Sequence, residues 1–236
     1  MEKLLTEKLN AYKMAGSAVE LIRSSKIVFL VGVTAAGKDT VIKELLKSGD
    51  YHYIVSHTTR PPRYNHGILE QDGFEYHFID LKKVERMLDK KEFIEAKLVH
   101  GNIYGTSVAE IQAAKDKSEI AISEIEVQGI AEYRAVSDTV LPIFLLPPDF
   151  AVWQKRLAKR YVGSIDPEDL RQRMLTAKEE LREALKQDYY EFVINRDLTK
   201  TITVVDEIAH GIVSAKKNEQ ARMVADGLLE EIDKTL

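Results

Sequence analysis

The chain has no cysteine among its 236 residues. Without thiols it can form no disulfide bond, no thiolate metal centre and no cysteine nucleophile, and such a chain is compatible with the cytoplasmic location that we predict. The sequence also lacks an apolar run of the roughly 20 residues that a membrane-spanning helix needs, and charged residues recur along its N-terminal stretch. We therefore expect neither secretion nor insertion into a membrane.

An excess of positive charge is absent as well. Lys and Arg number 34 against 38 Asp and Glu, which gives a formal net charge of −4. A general basic surface that would attract DNA or RNA is thus not predicted, and any functional positive charge must be local. Hydrophobic residues make up 44% of the chain, which is enough for the core of one domain with appendages.

The glycine-rich segment Gly32–Thr40 is the most informative part of the sequence. It follows the apolar run Lys26–Val31 and leads into a helical pattern, which is the strand–loop–helix context of a phosphate-binding loop. Gly32 and Gly37 permit backbone angles at which successive N–H groups turn toward an anion. The helix start adds its positive dipole end, and Lys38 supplies a charge for the outer phosphates. These residues predict a nucleoside triphosphate site.

Asp39 departs from that motif. The position after Gly-Lys normally carries Ser or Thr, whose hydroxyl binds magnesium. The loop taken alone therefore leaves a second interpretation open, a Gly/Ala-rich turn that only joins a strand to a helix.

A second anion-binding feature is the pair Arg60 and Arg63, which lie three residues apart after a short β-type run. Pro61 and Pro62 stiffen the segment, so less entropy is lost when both guanidinium groups bind a ligand. Their fork-shaped donors suit a monophosphate or a carboxylate. Two solvated surface arginines are the alternative interpretation.

A third basic group, Arg156, Arg160, Arg171 and Arg173, flanks a loop-like segment at 161–166. Charged helices are usually solvated surface, yet phosphoryl transfer needs a basic lid, because charge spreads over the equatorial oxygens of the transferred group. Together the three features suggest a triphosphate donor, a monophosphate acceptor and a clamp over both.

The alternation of strand and helix patterns predicts an α/β fold with a parallel sheet covered by helices on both faces. Residues 1–24 are predicted to form one amphipathic helix that packs on the domain or dimerises. Residues 51–78 predict a small, partly antiparallel subdomain, and 213–236 a charged helical extension. The further predicted elements are strands Ile120–Ile125, Val140–Leu146 and Tyr190–Ile194, and helices Leu81–Lys91, Asp149–Arg160, Pro167–Lys186 (with Asp166 as N-cap) and Lys200–Gly211.

These motifs, taken in order, resemble the guanylate kinase family from Lys26 to about His210. The most specific are the T-T-R-x-P-R element that ends at Arg63 and the G-N-x-Y-G-T element that begins at Gly101. The resemblance implies a P-loop three-layer fold at 25–212, with an acceptor subdomain at about 57–108 and a helical lid at about 156–176. It also implies the transfer of a phosphoryl group from Mg-ATP to GMP.

The resemblance assigns site residues by matching positions. The ATP site it implies comprises Gly32, Thr34, Ala35, Ala36, Gly37, Lys38, Asp39, Thr40 and, near adenine, Asn195. The GMP site comprises Arg60, Arg63, Tyr76 and Tyr104 around the phosphate, and Ser56, Glu95, Thr106, Glu124 and Glu126 around the base. The implied catalytic residues are Lys38, Arg60, Arg156, Arg160 and Arg173. Magnesium is the implied cofactor, bound through the ATP phosphates, with Asp39 or Glu124 as candidates to orient its water.

Three departures from the family pattern keep alternatives open. Asp39 replaces a small residue, Glu126 is one methylene longer than the usual aspartate, and the stretch before Tyr76 is longer than typical, with Gly67–Glu70 read as inserted. The alternatives are a kinase with a different phosphate acceptor and a catalytically weak, guanylate-kinase-like binding module. A homodimer through the terminal helices is a further expectation, whereas no nucleic-acid or membrane partner is expected.

Overall fold

The computed structural model describes residues 2–65, 67–99, 101–160 and 166–236. The chain divides into two compact units, each described by itself below. Unit 1 comprises Met1–Lys26 and His52–Ala121, and unit 2 comprises Ile27–Tyr51 and Ile122–Leu236.

Along much of the chain, strands alternate with helices, as the sequence predicts. The strands are β1 (Ile27–Val31), β2 (Tyr51–Tyr53), β3 (His57–Thr58), β4 (Tyr64–Asn65), β5 (Ile68–Leu69), β6 (His77–Phe78), β7 (Phe93–Val99), β8 (Asn102–Ser107), β9 (Ile120–Glu124), β10 (Val140–Leu146) and β11 (Glu191–Ile194). The helices are α1 (Glu2–Asn10), α2 (Gly16–Arg23), α3 (Lys38–Leu45), α4 (Leu81–Asp89), α5 (Val108–Asp116), α6 (Val127–Arg134), α7 (Phe150–Arg160), α8 (Pro167–Leu185), α9 (Leu198–Ala209) and α10 (Ala215–Thr235).

The central sheet has the strand order β11-β10-β1-β9-β2. Strand β1 pairs in parallel with β10, which pairs in parallel with β11. All five residues of β1 are buried, as expected for a parallel strand that is covered on both faces and therefore reads as a continuous apolar run. The predicted α/β fold with a parallel sheet and flanking helices is confirmed.

Unit 1 contains a second sheet, with the order β6-β3-β8-β7. Strand β8 runs antiparallel to both β3 and β7, whereas β3 and β6 are parallel. A second, partly antiparallel sheet is thereby confirmed, although its antiparallel partners β7 and β8 lie beyond the predicted range 51–78. The stretch Gly67–Glu70, predicted to be inserted, overlaps a separate hairpin, in which β4 pairs with β5 through Tyr64 opposite Leu69.

The single helix predicted over 1–24 is wrong, because the segment forms two helices separated at residues 11–15. Helix α1 contacts α4 and β7, while α2 contacts α5. Between them, the hydroxyl of Tyr12 donates a hydrogen bond of 2.5 Å to the carbonyl oxygen of Phe93. The two helices thus pack against different elements of unit 1, and the break between them lets each reach its own partners.

Helix α1 packs on unit 1 through two leucines. Leu5 and Leu9 are buried in a cluster with Val84, Met87 and Phe93. Replacing Leu9 by alanine is therefore expected to lower the free energy of unfolding by about 2–5 kcal/mol, since a buried cavity remains. Urea unfolding measures this loss.

The matched control for that experiment is Leu98→Ala, since Leu98 also lies in unit 1 but is 51% exposed. The control should change the free energy of unfolding by less than about 1 kcal/mol. Equal, small losses for both variants would contradict the docking of α1.

The two long helices near the C-terminus lie together in unit 2. The side chain of Asp166 accepts a hydrogen bond from Glu168 N, and Pro167 occupies the first turn of α8, so the predicted helix start is confirmed. Helix α10 contacts both α8 and β11. The predicted loop segment 161–165 lies outside the described residues. In the described part of the chain, no helix combines the length and the apolar character required to cross a membrane.

Candidate functional sites

The loop between β1 and α3 has the backbone of an anion-binding turn. Gly32, Ala35 and Gly37 have positive φ angles of 140°, 63° and 100°. Alternation of such residues with right-handed ones turns neighbouring N–H groups to the same side, and α3 starts at Lys38 with its N-terminal dipole at the same place. The loop therefore has the backbone geometry of an anion-binding turn, and its predicted role in binding ATP phosphates remains a prediction.

The two glycines are required by space as well as by angle. A Cβ atom at Gly32 would collide with the carbonyl oxygen of Leu145 on β10. A Cβ atom at Gly37 would lie 2.5 Å from Nδ2 of Asn195. The loop thus lies tightly against the ends of β10 and β11.

Three side chains hold the loop by its carbonyl oxygens. Trp153 Nε1 donates to Thr34 O at 2.8 Å, and Asn195 Nδ2 donates to Ala36 O at 2.8 Å. Arg156 donates to Ala36 O at 3.3 Å. With its carbonyl groups engaged in this way, the loop has a fixed shape before any ligand arrives.

Arg156 and Asn195 therefore have structural contacts that the sequence did not predict. Arg156 also donates to Asn195 O at 2.7 Å, and the Asn195 side-chain oxygen accepts from Thr201. Burial lowers the pKa of the Arg156 guanidinium. The predicted roles of Arg156 in the lid and of Asn195 near adenine remain predictions. Of the other arginines predicted for the lid, Arg160 is exposed on α7 and Arg173 is partly buried on α8.

Lys38 is held over the loop by a 2.6 Å hydrogen bond from Nζ to Gly32 O. Acidic groups surround it. Glu124 is an exposed residue, but partial desolvation of its carboxyl group raises the pKa of that group. The negative charge of the neighbouring Asp39 raises the pKa of Glu124 further. Burial also raises the pKa of Glu180 to about 7, while Lys38 opposes that shift.

Glu180 is a candidate residue that sequence reasoning missed, because it belongs to none of the quoted motifs. Its position on α8 could have pointed to it, because Glu180 follows Ala177 by three residues and comes directly before Leu181. Both of these neighbours are buried. An acid on the buried stripe of a long charged helix is unusual and marks a position near other charges.

Unit 1 contains the second candidate site, around Arg60. The Arg60 side chain is 6% exposed and forms a two-pronged ion pair with Glu70, at 2.8 and 3.0 Å. Its guanidinium carbon lies 5.2 Å from the ring centroid of Tyr76. The hydrogen bond with Glu70 is the main cause that raises the pKa of Arg60, and an interaction with Tyr104 raises it further.

The aromatic residues of this site form one group with Arg60. The rings of Tyr76 and Tyr104 meet edge to face, with centroids 5.8 Å apart. Thr58, the last residue of β3, lies opposite Tyr104 in the β3–β8 ladder. Because Arg60 follows Thr58 by two residues, this register brings Arg60 close to Tyr104. Arg63, by contrast, has an exposed side chain.

The predicted base-reading residues divide between the two units. Glu95 on β7 lies directly opposite Thr106 on β8, where the ladder has an irregularity just after Phe93. Ser56, immediately before β3, accepts His77 N through its carbonyl oxygen. Glu124 and Glu126 belong to unit 2, and Glu126 stands at the N-cap position of α6 without a side-chain capping bond.

The family of the chain follows from comparison with known proteins. The guanylate kinase family model matches residues 24–211. This chain belongs to the guanylate kinase family. Helices α1, α2 and α10 lie outside the residues that the family model matches.

Individual guanylate kinases show how much of the chain is shared. The guanylate kinase of Clostridioides difficile is 33% identical over 202 residues, covering 85% of this chain and 93% of its own. That of Neisseria meningitidis is 34% identical over 212 residues, covering 88% and 97%. Guanylate kinase 1 of Arabidopsis thaliana is 32% identical over 196 residues, or 79% of this chain, but this chain spans only 49% of its length.

A solved guanylate kinase structure shows the same fold. The crystal structure of the Anaplasma phagocytophilum enzyme superposes with a TM-score of 0.57 at 23% identity, over 84% of this chain and 92% of that one. The match covers a mixed α/β chain with the central parallel sheet described above.

Glu70 is the second site residue that sequence reasoning missed. It is the last residue of the stretch Gly67–Glu70 that the sequence analysis reads as inserted, ten residues after Arg60, so the quoted motifs gave no reason to pair the two.

Proposed function

We propose that the chain transfers the γ-phosphoryl group of Mg-ATP to GMP. The observation that carries this proposal is the composition of one sheet in unit 1. There the buried Arg60, which follows β3, lies beside Tyr76, just before β6, and its pKa reflects an interaction with Tyr104 on β8. The same sheet carries the cross-strand pair Glu95 and Thr106. Candidate phosphate-binding and base-reading groups thus lie on or beside the strands of one sheet, β6-β3-β8-β7.

The acceptor base is assigned from hydrogen-bonding chemistry. Guanine presents N1–H and an exocyclic N2 amino group, and the Glu95 carboxylate can accept from both. Guanine O6 accepts a hydrogen bond, which the hydroxyl groups of Thr106 or Ser56 can donate. Adenine has neither an N1–H nor an N2 amino group, so it would leave the Glu95 carboxylate without these hydrogen-bond donors. The acceptor phosphate is assigned to Arg60 with Arg63, Tyr76 and Tyr104.

The donor triphosphate is assigned to the loop Gly32–Thr40. Its N–H groups and the α3 dipole bind phosphate oxygens, and Lys38 lies where it can reach the outer ones. Catalysis then consists of positioning and of charge stabilisation, with Arg160 and Arg173 added from α7 and α8. No covalent intermediate with the protein is required.

Magnesium fits this site as a companion of ATP. The described residues contain no group of three or more acidic or histidine side chains that would hold a metal by themselves. The nearby donors are the oxygens of Asp39, Thr40 and Glu124, which are the hard ligands that Mg²⁺ prefers alongside substrate phosphates. When bound, the ion would neutralise phosphate charge. The residues that would hold it, through its water, are Asp39 and Glu124.

Two further assignments complete the proposal. We assign about 57–108 as the acceptor subdomain and about 156–176 as the lid that closes on ATP. Dimerisation through the terminal helices remains a prediction. Leu5 and Leu9 of α1 are buried within their own unit and are not available for a second chain without undocking.

The experiment that tests the proposal follows ADP release from Mg-ATP with GMP, dGMP, AMP, UMP or CMP as acceptor. We expect rapid release with GMP and none above background with the other ribonucleotides. Release with a different monophosphate would make Glu126 the residue to examine for acceptor choice. No release with any acceptor, from folded protein that still binds GMP, would identify a binding module instead.

A further inference from the structure

Trp153 is the only tryptophan of the chain, and its side chain is fully buried in unit 2. It lies in the first turn of α7, where the Asp149 carboxylate accepts the N–H of Val152 and the Asp149 carbonyl oxygen accepts the N–H of Trp153. The ring of Phe150 packs near the indole, with ring centroids 5.9 Å apart. The indole is thus held by its own helix, which directs the indole N–H at the loop Gly32–Thr40.

The atom that Trp153 contacts in this loop is the carbonyl oxygen of Thr34, to which Nε1 donates at 2.8 Å. In a planar trans peptide unit, the C=O of one residue and the N–H of the next point in opposite directions. A hydrogen bond that draws the Thr34 carbonyl group toward α7 therefore turns the N–H of Ala35 away from α7. Thr34 and Ala35 are both partly exposed, so a ligand can reach this N–H group.

The peptide unit between Ala36 and Gly37 is held in the same way. Ala36 O accepts from Asn195 at 2.8 Å, which by the same geometry turns the N–H of Gly37 to the opposite side. The Ala36 N–H is already paired within the loop, whereas in the described part of the chain the N–H groups of Ala35 and Gly37 have no acceptor. Two N–H groups are thus left for an anion, and Trp153 controls the direction of the first.

Ala35 needs this support because its backbone conformation is unfavourable. Its φ of 63° lies in the left-handed region, which residues with a Cβ atom rarely adopt. Such conformations persist where the surrounding contacts hold them. The hydrogen bond from Trp153 fixes the peptide unit that leads into Ala35, so it is one of the contacts that hold this conformation.

We infer that Trp153 is a positioning residue for the donor phosphates: its indole N–H holds the Thr34 carbonyl group so that the Ala35 N–H is presented to ATP. The inference rests on the proposed function. It assigns to Trp153 an action through the loop and no contact with ATP. The effect of Trp153 should therefore appear in the binding of the donor and not in the binding of the acceptor.

The first test removes only the indole N–H. Because the chain has a single tryptophan, production in a tryptophan-auxotrophic host supplied with benzothienylalanine, in which sulfur replaces the N–H, changes this residue alone. We expect KM for Mg-ATP to rise about 10-fold, as for the loss of a buried hydrogen bond, with KM for GMP unchanged within about threefold. An unchanged KM for Mg-ATP would overturn the inference.

The genetic counterpart of this test is Trp153→Phe, which also lacks the N–H donor. We expect the same selective rise in KM for Mg-ATP, together with a lower urea midpoint, since phenylalanine leaves part of the indole volume empty. A merely structural role of Trp153 would lower the urea midpoint and leave KM for Mg-ATP unchanged. That result would contradict the inference.

The matched control for lost stability is Leu228→Ala. Leu228 lies on α10 in unit 2 and is 2% exposed, so alanine creates a cavity in the same unit and removes no hydrogen bond to the loop. We expect a lower urea midpoint, with both Michaelis constants within about threefold of wild type. A rise in KM for Mg-ATP equal to that of Trp153→Phe would mean that any loss of stability in unit 2 weakens ATP binding, and the inference would be wrong.

Wild-type protein separates failure of the inference from failure of the proposed function. If wild type binds Mg-ATP but does not phosphorylate GMP, the proposed function fails, and calorimetric titration with Mg-ATP still tests Trp153. A dissociation constant for Mg-ATP that is the same in wild type and in the benzothienylalanine protein would then overturn the inference. A wild-type protein that binds no Mg-ATP would overturn both.

Discussion

Replacing Lys38 by alanine is expected to lower kcat for GMP phosphorylation about 10³-fold. The Lys38 ammonium group donates a 2.6 Å hydrogen bond to Gly32 O, which holds it at the proposed phosphate-binding loop. Its charge acts on phosphate oxygens that gain negative charge in the transition state, so the loss appears mainly in kcat. Lys38 is the first residue of α3 and is partly exposed, and alanine is a good helix former, so the fold should be retained. Steady-state kinetics with saturating GMP measure the effect.

The control for this variant is Lys43→Ala, on the same helix but exposed. It should leave kcat within about threefold of wild type. Near wild-type turnover by Lys38→Ala would contradict the assignment of Lys38, and an equal loss in Lys43→Ala would point to a general charge effect.

Replacing Arg60 by alanine is expected to raise KM for GMP about 100-fold and to destabilise the protein as well. The first effect follows from the loss of two charge-assisted hydrogen bonds to the acceptor phosphate. The second arises because Glu70, only 13% exposed, would lose its ion-pair partner. A buried group left unsatisfied costs about 1–3 kcal/mol of unfolding free energy. Kinetics with varied GMP and urea unfolding measure the two effects separately.

A double variant, Arg60→Ala with Glu70→Ala, separates binding from stability. Removing both partners leaves no unpaired charge, so stability should recover toward wild type while KM for GMP stays high. A single variant Arg60→Ala with unchanged KM for GMP would contradict the placement of Arg60 in the acceptor site.

Much of the fold was predictable because its signals are local. Strand β1, the loop and α3 lie within about twenty residues, and each is encoded by a pattern of its own: a buried apolar run, two glycines and a helical repeat. The start of α8 at Asp166 and Pro167 was predictable for the same reason. Such short-range patterns define elements and the motifs that connect them.

The contacts that shape the sites were not predictable from the sequence, because they join distant segments. Arg156 and Asn195 meet Ala36 only after α7 and β11 have reached the phosphate-binding loop. Glu70 meets Arg60 only because the β4–β5 hairpin brings the chain back between them. The break in the N-terminal segment likewise depends on the partners of α1 and α2, which belong to different parts of unit 1. Composition and periodicity carry no record of such partners.

Helix α10 has a consequence for how copies of the chain meet one another. Strand β11 is the last strand on its side of the central sheet, and the edge of a sheet is a template to which a strand from another molecule can add. Here Asn218 of α10 accepts the N–H of Phe192, and Arg222 stacks on the ring of that residue. Arg222 also donates to the carbonyl oxygen of Gln187 just before the strand. The helix thus occupies the position of a sixth strand and protects the sheet from edge-to-edge association and fibre growth.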